Sequence, residues 1–223
     1  MKIDDLSLTN YGYVKDRNYQ LAILPWGATE PHNYHLPYLT DCILSHDVAA
    51  DAAKMAKEQY GINTMILPPV MMGSQNPGQR DLNFCIHYRY ETQKAILLRD
   101  LAVDYPDFLI AVSDWFATCK AAEYFDRPGD HADELETSVM MHYHPELVDL
   151  TEAGTGEFKP FAAESLNAKT AWTPRNWLKV SKDTGVGDPS LSTAEKGKRF
   201  AEAVCRKYAD LIRDLASGNI YLD

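Results

Sequence analysis

The sequence predicts an α/β fold with a mostly parallel sheet, and three observations carry that expectation. The apolar runs LAILPWG from Leu21 and NTMILPPV from Asn63 both read as short buried strands, the first closed by Pro25 and Gly27, the second by Pro68 and Pro69. Between them, CILSHDVAADAAKMAKEQYG sets Ile43, Leu44, Val48, Ala52, Met55 and Ala56 at helical spacing. Strand, helix and strand in that order require a crossover, which makes the strands parallel and the connection right-handed.

The remaining elements follow in order. Gly61 is a candidate C-cap for the first long helix. A Gly/Pro/Asn-rich loop, GSQNPGQRD from Gly73, leads to a helical segment from about Tyr90 to Ala102. DFLIAVSDW from Asp107 reads as a third buried strand, set off by Pro106. In HADELETSVMMHYHPELV the residues Leu135, Val139, Met140 and Tyr143 share one helix face until Pro145 ends it. A loop-rich stretch with Gly154, Gly156, Pro160 and Pro174 precedes a C-terminal helix from about Thr193 to Ala216, with Ser-Thr as its cap. With 223 residues and 45% hydrophobic content, the chain is expected to form a single domain over 1–223.

A net charge of -10 argues against nucleic acid, which needs clustered Lys and Arg to displace counterions. No run approaches the roughly 18 apolar residues that span a bilayer, and no signal-like segment opens the chain, so no membrane partner and a cytoplasmic location are expected. Cys42, Cys85, Cys119 and Cys205 lie far apart without a C-x-x-C pair, which suits reduced, packed thiols.

The chemistry concentrates in the loop after the first strand, GATEPHNYHLPYLTD. It holds Glu30, His32, His35 and Asp41, the carboxylate and imidazole donors that a divalent metal prefers. An extended segment sends Glu30 and His32 to one side, because side chains alternate with period two. Asp41 stands where the next helix begins, as a metal ligand or as its N-cap. Ligands in open α/β sheets collect beyond the carboxyl ends of strands, where this loop lies.

The same segment resembles the G-x-x-E-Q-H-G-P-H-L-P-x-x-T-D pattern of the creatininase (creatinine amidohydrolase) family, matching it at Gly27, Glu30, His32, His35, Leu36, Pro37, Thr40 and Asp41. HADELETS, His131 to Ser138, is similar to a second family element, H-A-G-E-x-E-T-S, with Asp133 in place of Gly. GVGDPSLSTAEKG, from Gly185, is similar to a third. The resemblance implies a doubly wound, mostly parallel sheet flanked by helices, a homohexamer, and a metal-dependent amidohydrolase with zinc or manganese, one or two ions per chain. The implied reaction is cleavage of creatinine, or of another small non-peptide amide C–N bond, by metal-activated water; relatives also act on formamide groups and small peptides. By motif, Glu30, His32 and Asp41 resemble the metal ligands, with Asp41 as bridge. Glu136 resembles a further ligand or a catalytic organiser of the site, and His131 the proton-shuttling catalytic histidine. Trp115 resembles an aromatic that closes over substrate, and His35 a neighbour that orients the loop by a hydrogen bond. His131 could instead be a polar helix-start residue and Trp115 a core aromatic, while His142 and His144 read as surface residues.

One family element is missing. The strand ending in an N-G-H-G-G-N-type loop belongs between ETQKAILL and RDLAVDYPDF, which here run together. Its loss removes a histidine ligand, so one of two metals is expected to be weak or absent, and a neighbouring strand is expected to re-pair or leave an open edge. The alternative to an enzyme is therefore a catalytically impaired relative that keeps the scaffold for small-ligand binding or assembly.

Overall fold

The computed structural model describes residues 4–71, 91–219 and 221, and only the backbone of 91–97. The predicted loop from Gly73, Cys85 and the predicted helix start at Tyr90 lie outside the described residues. After a single helical turn, α1 (Tyr11–Val14), the predicted strand, helix and strand appear as β1 (Leu21–Ile23), α2 (Thr40–Tyr60) and β2 (Thr64–Ile66). β1 and β2 pair in parallel, Leu21 opposite Thr64 and Ile23 opposite Ile66. Gly61 caps α2 in the left-handed region at φ 72°, with its N–H on the Lys57 carbonyl. On its other edge β2 takes residues 4–6: the Leu6 N–H donates to the Ile66 carbonyl at 2.9 Å and the Ile66 N–H to the Asp4 carbonyl at 2.8 Å.

Two strand expectations need correction. β1 is only half-buried, with Ala22 and Leu24 exposed, because among the described residues it pairs on one edge alone. DFLIAVSDW forms no strand: Phe108 is 70% exposed and Val112 55%. An apolar run becomes a strand only where a neighbour completes its hydrogen bonds, and the described sheet has two strands.

Helices supply the core. α3 (Glu91–Asp104) runs unbroken through ETQKAILL into RDLAVD. α4 (Glu134–Tyr143) ends before Pro145, and α7 (Ala194–Ala216) starts from Thr193, whose side chain accepts from the Lys196 N–H. α5 (Glu164–Asn167) and α6 (Trp177–Val180) are single turns. Leu44, Val48 and Ala52 of α2, Leu135, Val139 and Met140 of α4, and Phe200, Val204 and Ile212 of α7 share one buried cluster. α7 crosses α4 at Gly197, where a Cβ would stand 1.9 Å from the Ser138 carbonyl oxygen, so a side chain there would push the helices apart.

A chain of imidazoles and carboxylates ties the edge of this layer together. His46 Nε2 lies 2.8 Å from Asp5 and its Nδ1 3.4 Å from Asp47; His144 bridges Asp47 at 2.8 Å and Glu146 at 3.1 Å. The bond to Asp47 raises the His46 pKa above 6.5, with burial opposing and Asp5 adding. A raised histidine pKa stabilises the fold below 6.5, and that stabilisation is lost as pH rises through the folded value. His46→Gln is therefore expected to cost about 1 kcal/mol, roughly 2–4 °C in thermal midpoint, at pH 6 and progressively less above it. Melting curves from pH 6 to 9 measure this; a difference that does not narrow with pH would rule it out.

Candidate metal centre

The loop leaving β1 is brought onto the start of α2 by a close backbone passage. A Cβ on Gly27 would lie 2.4 Å from the Cys42 nitrogen, so only glycine lets the chain cross there. Beyond it, the Glu30 N–H donates to the Tyr38 carbonyl at 3.0 Å and a bridge pairs His32 with Leu36, folding the loop back over itself. Asp41 sits in the first turn of α2, two residues past the cap position, which is Leu39.

The second half of the site comes from the turn before α4. His131 pairs with Val186 through two backbone bonds, of 3.2 and 2.8 Å. Asp133, the departure from the family's glycine, is the N-cap of α4, accepting from the Glu136 N–H at 3.0 Å. Glu136 reaches back to accept from the Ala132 N–H at 2.6 Å. This arrangement is close to a capping box, and the D-x-x-E spacing is the signal by which the sequence could have shown it.

Both central imidazoles are held by backbone carbonyls. The His32 Nδ1–H donates to the Glu30 carbonyl at 2.9 Å, which turns Nε2 to Asp41 at 3.2 Å and Glu136 at 3.9 Å. The His131 Nε2–H donates to the Pro31 carbonyl at 2.8 Å, leaving Nδ1 3.8 Å from the Glu30 carboxylate. The two rings lie 4.2 Å apart. Donor atoms of Glu30, His32 and His131 fall within 4.8 Å of one another, as do those of His32, Asp41 and Glu136. Metal-binding histidines are commonly oriented in this way, one nitrogen on a carbonyl and the other on the ion.

Electrostatics describe a place that prefers positive charge. Burial pushes the His32 pKa down, but Asp41, Glu136 and Glu30 outweigh it and raise the value to about 10. Burial, with Asp41 and Asp133 nearby and His32 opposing, raises Glu136 to about 8. His131 is the converse: burial and the His32 charge lower it to about 3, so it is neutral near pH 7. Two imidazoles and three carboxylates gathered here, with His32 and Glu136 each holding an extra proton, fit a divalent cation whose charge would replace those two protons.

The structure thus gathers Glu30, His32, Asp41, His131 and Glu136. His35 is buried beside them, its Nε2 bonded with the Thr137 hydroxyl at 2.8 Å, and burial lowers its pKa to about 4. Trp115 is placed elsewhere, in the core, edge-on to Phe200 at 6.2 Å. The aromatic ring beside His131 is that of Trp177, at 5.0 Å. Sequence reading missed it because nothing in its local pattern separates it from the other tryptophans. His142 rests on Tyr143, and His144 belongs to the edge network.

Known proteins resemble this chain over most of its length. A putative creatinine amidohydrolase from Bacteroides fragilis NCTC 9343 is 50% identical across all of both chains, and its crystal structure superposes with a TM-score of 0.93. The mycofactocin precursor peptide peptidase of Mycobacterium ulcerans (strain Agy99) is 28% identical, over 82% of this chain and 80% of its own. A creatininase mutant complexed with creatine shares the fold at a TM-score of 0.69 with 16% identity, over 96% of this chain and 99% of its own. The Creatininase profile, described as creatinine amidohydrolase, matches residues 6–105 and 98–212, two stretches that overlap at the end of α3. With both stretches matched and the loop, turn and helix motifs gathered at one place, the chain belongs to the creatininase family.

Proposed function

We propose that this chain is a metal-dependent hydrolase of amide C–N bonds, acting at the Glu30–His32–Asp41–His131–Glu136 cluster. The observation that carries the reading is the pair of imidazoles pinned by the Glu30 and Pro31 carbonyls so that their other nitrogens face carboxylates. His32, Asp41 and Glu136, with Glu30 alongside, would hold the cation. When bound, a divalent ion there supplies Lewis acidity toward an amide oxygen and acidifies water. Zinc or manganese suits the donor set, and creatininase structures of this fold are named for zinc–zinc and manganese forms.

The chain's own residues handle the proton. His131 is neutral, and its bond to Pro31 fixes the tautomer, so Nδ1 presents a lone pair that takes a proton and returns it to a leaving nitrogen. Glu30, 3.8 Å from that nitrogen, stabilises the imidazolium while it exists. One ion is expected to bind more tightly than a second. Both donor triplets draw on His32, and its Nδ1 is already engaged, so only Nε2 can serve. Relatives include a peptide peptidase, so the substrate bond extends to small peptides as well as cyclic amides.

Purification without chelator should yield about one zinc or manganese ion per chain. Chelation should abolish hydrolysis of creatinine, N-methylformamide or triglycine, and either ion should restore it. Less than about half an ion per chain, or activity indifferent to chelation, would overturn the proposal. An ion-loaded chain that cleaves none of them is the scaffold-only relative.

A further inference from the structure

The wall beside His131 carries two polar groups that the fold leaves without partners. Trp177 is 7% exposed, and its indole Nε1–H is buried with no hydrogen-bond partner among the described residues. The preceding residue, Asn176, stands at the N-cap of α6, yet its side chain makes no capping bond, and its Oδ1 is likewise buried and unpartnered. Asparagine at such a position ordinarily bonds the helix's first N–H groups, and a buried indole N–H ordinarily finds an acceptor. A donor and an acceptor are thus held idle on adjacent residues, in the segment whose indole ring lies 5.0 Å from the His131 imidazole.

Their position is fixed rather than incidental. The indole ring lies 5.0 Å from His131, and the Arg175 guanidinium lies over the same ring at 4.8 Å while pairing with Asp130, the residue before His131. Trp177 packs with Val180 and Val186, and Val186 is the backbone partner of His131. The segment that shields His131 is therefore the segment that carries the two idle groups.

Resting on the hydrolase reading above, we propose that Asn176 and Trp177 are the substrate-recognising element of this site. The Trp177 Nε1–H donates to an oxygen of the bound amide, and Asn176 Oδ1 accepts an N–H from the same molecule. An amide presents that complement, a carbonyl acceptor beside an N–H donor. Sites built to bond such groups discriminate strongly, because an analogue lacking them leaves buried polar atoms unpaired. Secondary amides and cyclic amides bearing an N–H are preferred over tertiary amides of equal size.

Trp177→Phe keeps an aromatic ring against His131 and deletes the N–H together with one ring of the indole, so the Asn176 variant and the indole resonance below separate the lost bond from lost packing. In zinc-loaded protein, its affinity for whichever of creatinine, N-methylformamide or triglycine binds the parent chain should fall about five- to tenfold, with zinc content unchanged. Asn176→Ala should lose a similar factor. In nitrogen-15-labelled parent protein, the Trp177 indole N–H resonance should move on addition of that amide while that of Trp115 stays. Unchanged affinity in both variants, or a stationary Trp177 resonance, overturns the recognition role and leaves the metal centre standing. Zinc-loaded parent protein that binds none of the three amides also overturns it, whereas failure to hold zinc overturns the hydrolase reading itself.

Discussion

Asp41→Asn is expected to strip the divalent ion from the chain and to lower amide hydrolysis by at least about a hundredfold. The side chain keeps its shape and loses only its charge. Because Leu39 occupies the cap position of α2, the change removes no helix cap, and circular dichroism should match the parent protein. The effect is large because Asp41 is the group that most strongly draws positive charge to His32 Nε2, 3.2 Å away. Metal analysis after dialysis is the measurement, and an ion retained at parental stoichiometry would refute the assignment. The same cluster sets a pH dependence. At pH 7 the ion-free His32, raised to about 10, and Glu136, raised to about 8, each hold a proton. An ion needs neutral imidazole and ionised carboxylate, so binding should release about two protons at pH 7, and affinity should climb with pH up to about 10, most steeply below about 8. Calorimetry in buffers of different ionisation enthalpy reads that number directly.

Lys196→Met is expected to destabilise the fold by about 3 kcal/mol, roughly 6–12 °C in thermal midpoint. Glu134, fully buried at the start of α4, pairs with the Lys196 ammonium, which also bonds Asp126 at 2.7 Å and the Leu191 carbonyl at 2.9 Å. Removing the lysine strands a carboxylate with no solvent, which costs far more than the pair itself contributes. The double change Lys196→Met with Glu134→Leu should recover most of the loss, because neither charge is then buried alone. A single variant that melts like the parent chain would show that Glu134 is served by other donors, of which the Arg127 N–H is one. The consequence reaches the site: Glu134 holds both Arg127 and the first turn of α4, and the turn between them carries His131.

These two predictions also mark what could be read from the chain alone. The β1–α2–β2 order, the Gly61 cap, the Pro145 stop and the amphipathic α7 were all legible, because each depends on nearby residues: apolar period, cap residue or missing N–H. The loop donors Glu30, His32 and Asp41 were legible through spacing and resemblance. The DFLIAVSDW run was misread because its apolar pattern lacks the neighbour that would make it a strand. The Glu134–Lys196 pair was invisible although both residues lie in recognised motifs, since 62 positions separate them and only folding brings them together. The place of Trp177 beside His131 is invisible for the same reason: that proximity arises from the Val186 bridge, not from the residues around Trp177.

By itself the sequence determined the kinds of donor, their order along the chain and the helices and strands that carry them, because periodicity, caps and side-chain chemistry are local properties. Only the tertiary structure decided which nitrogen of each histidine faces the carboxylates, that Asp41 is not a cap, and which tryptophan meets His131. Those outcomes depend on two backbone carbonyls, at Glu30 and Pro31, and on loops distant in sequence meeting at one point. Orientation is a property of the packed chain, and no spacing of letters encodes it.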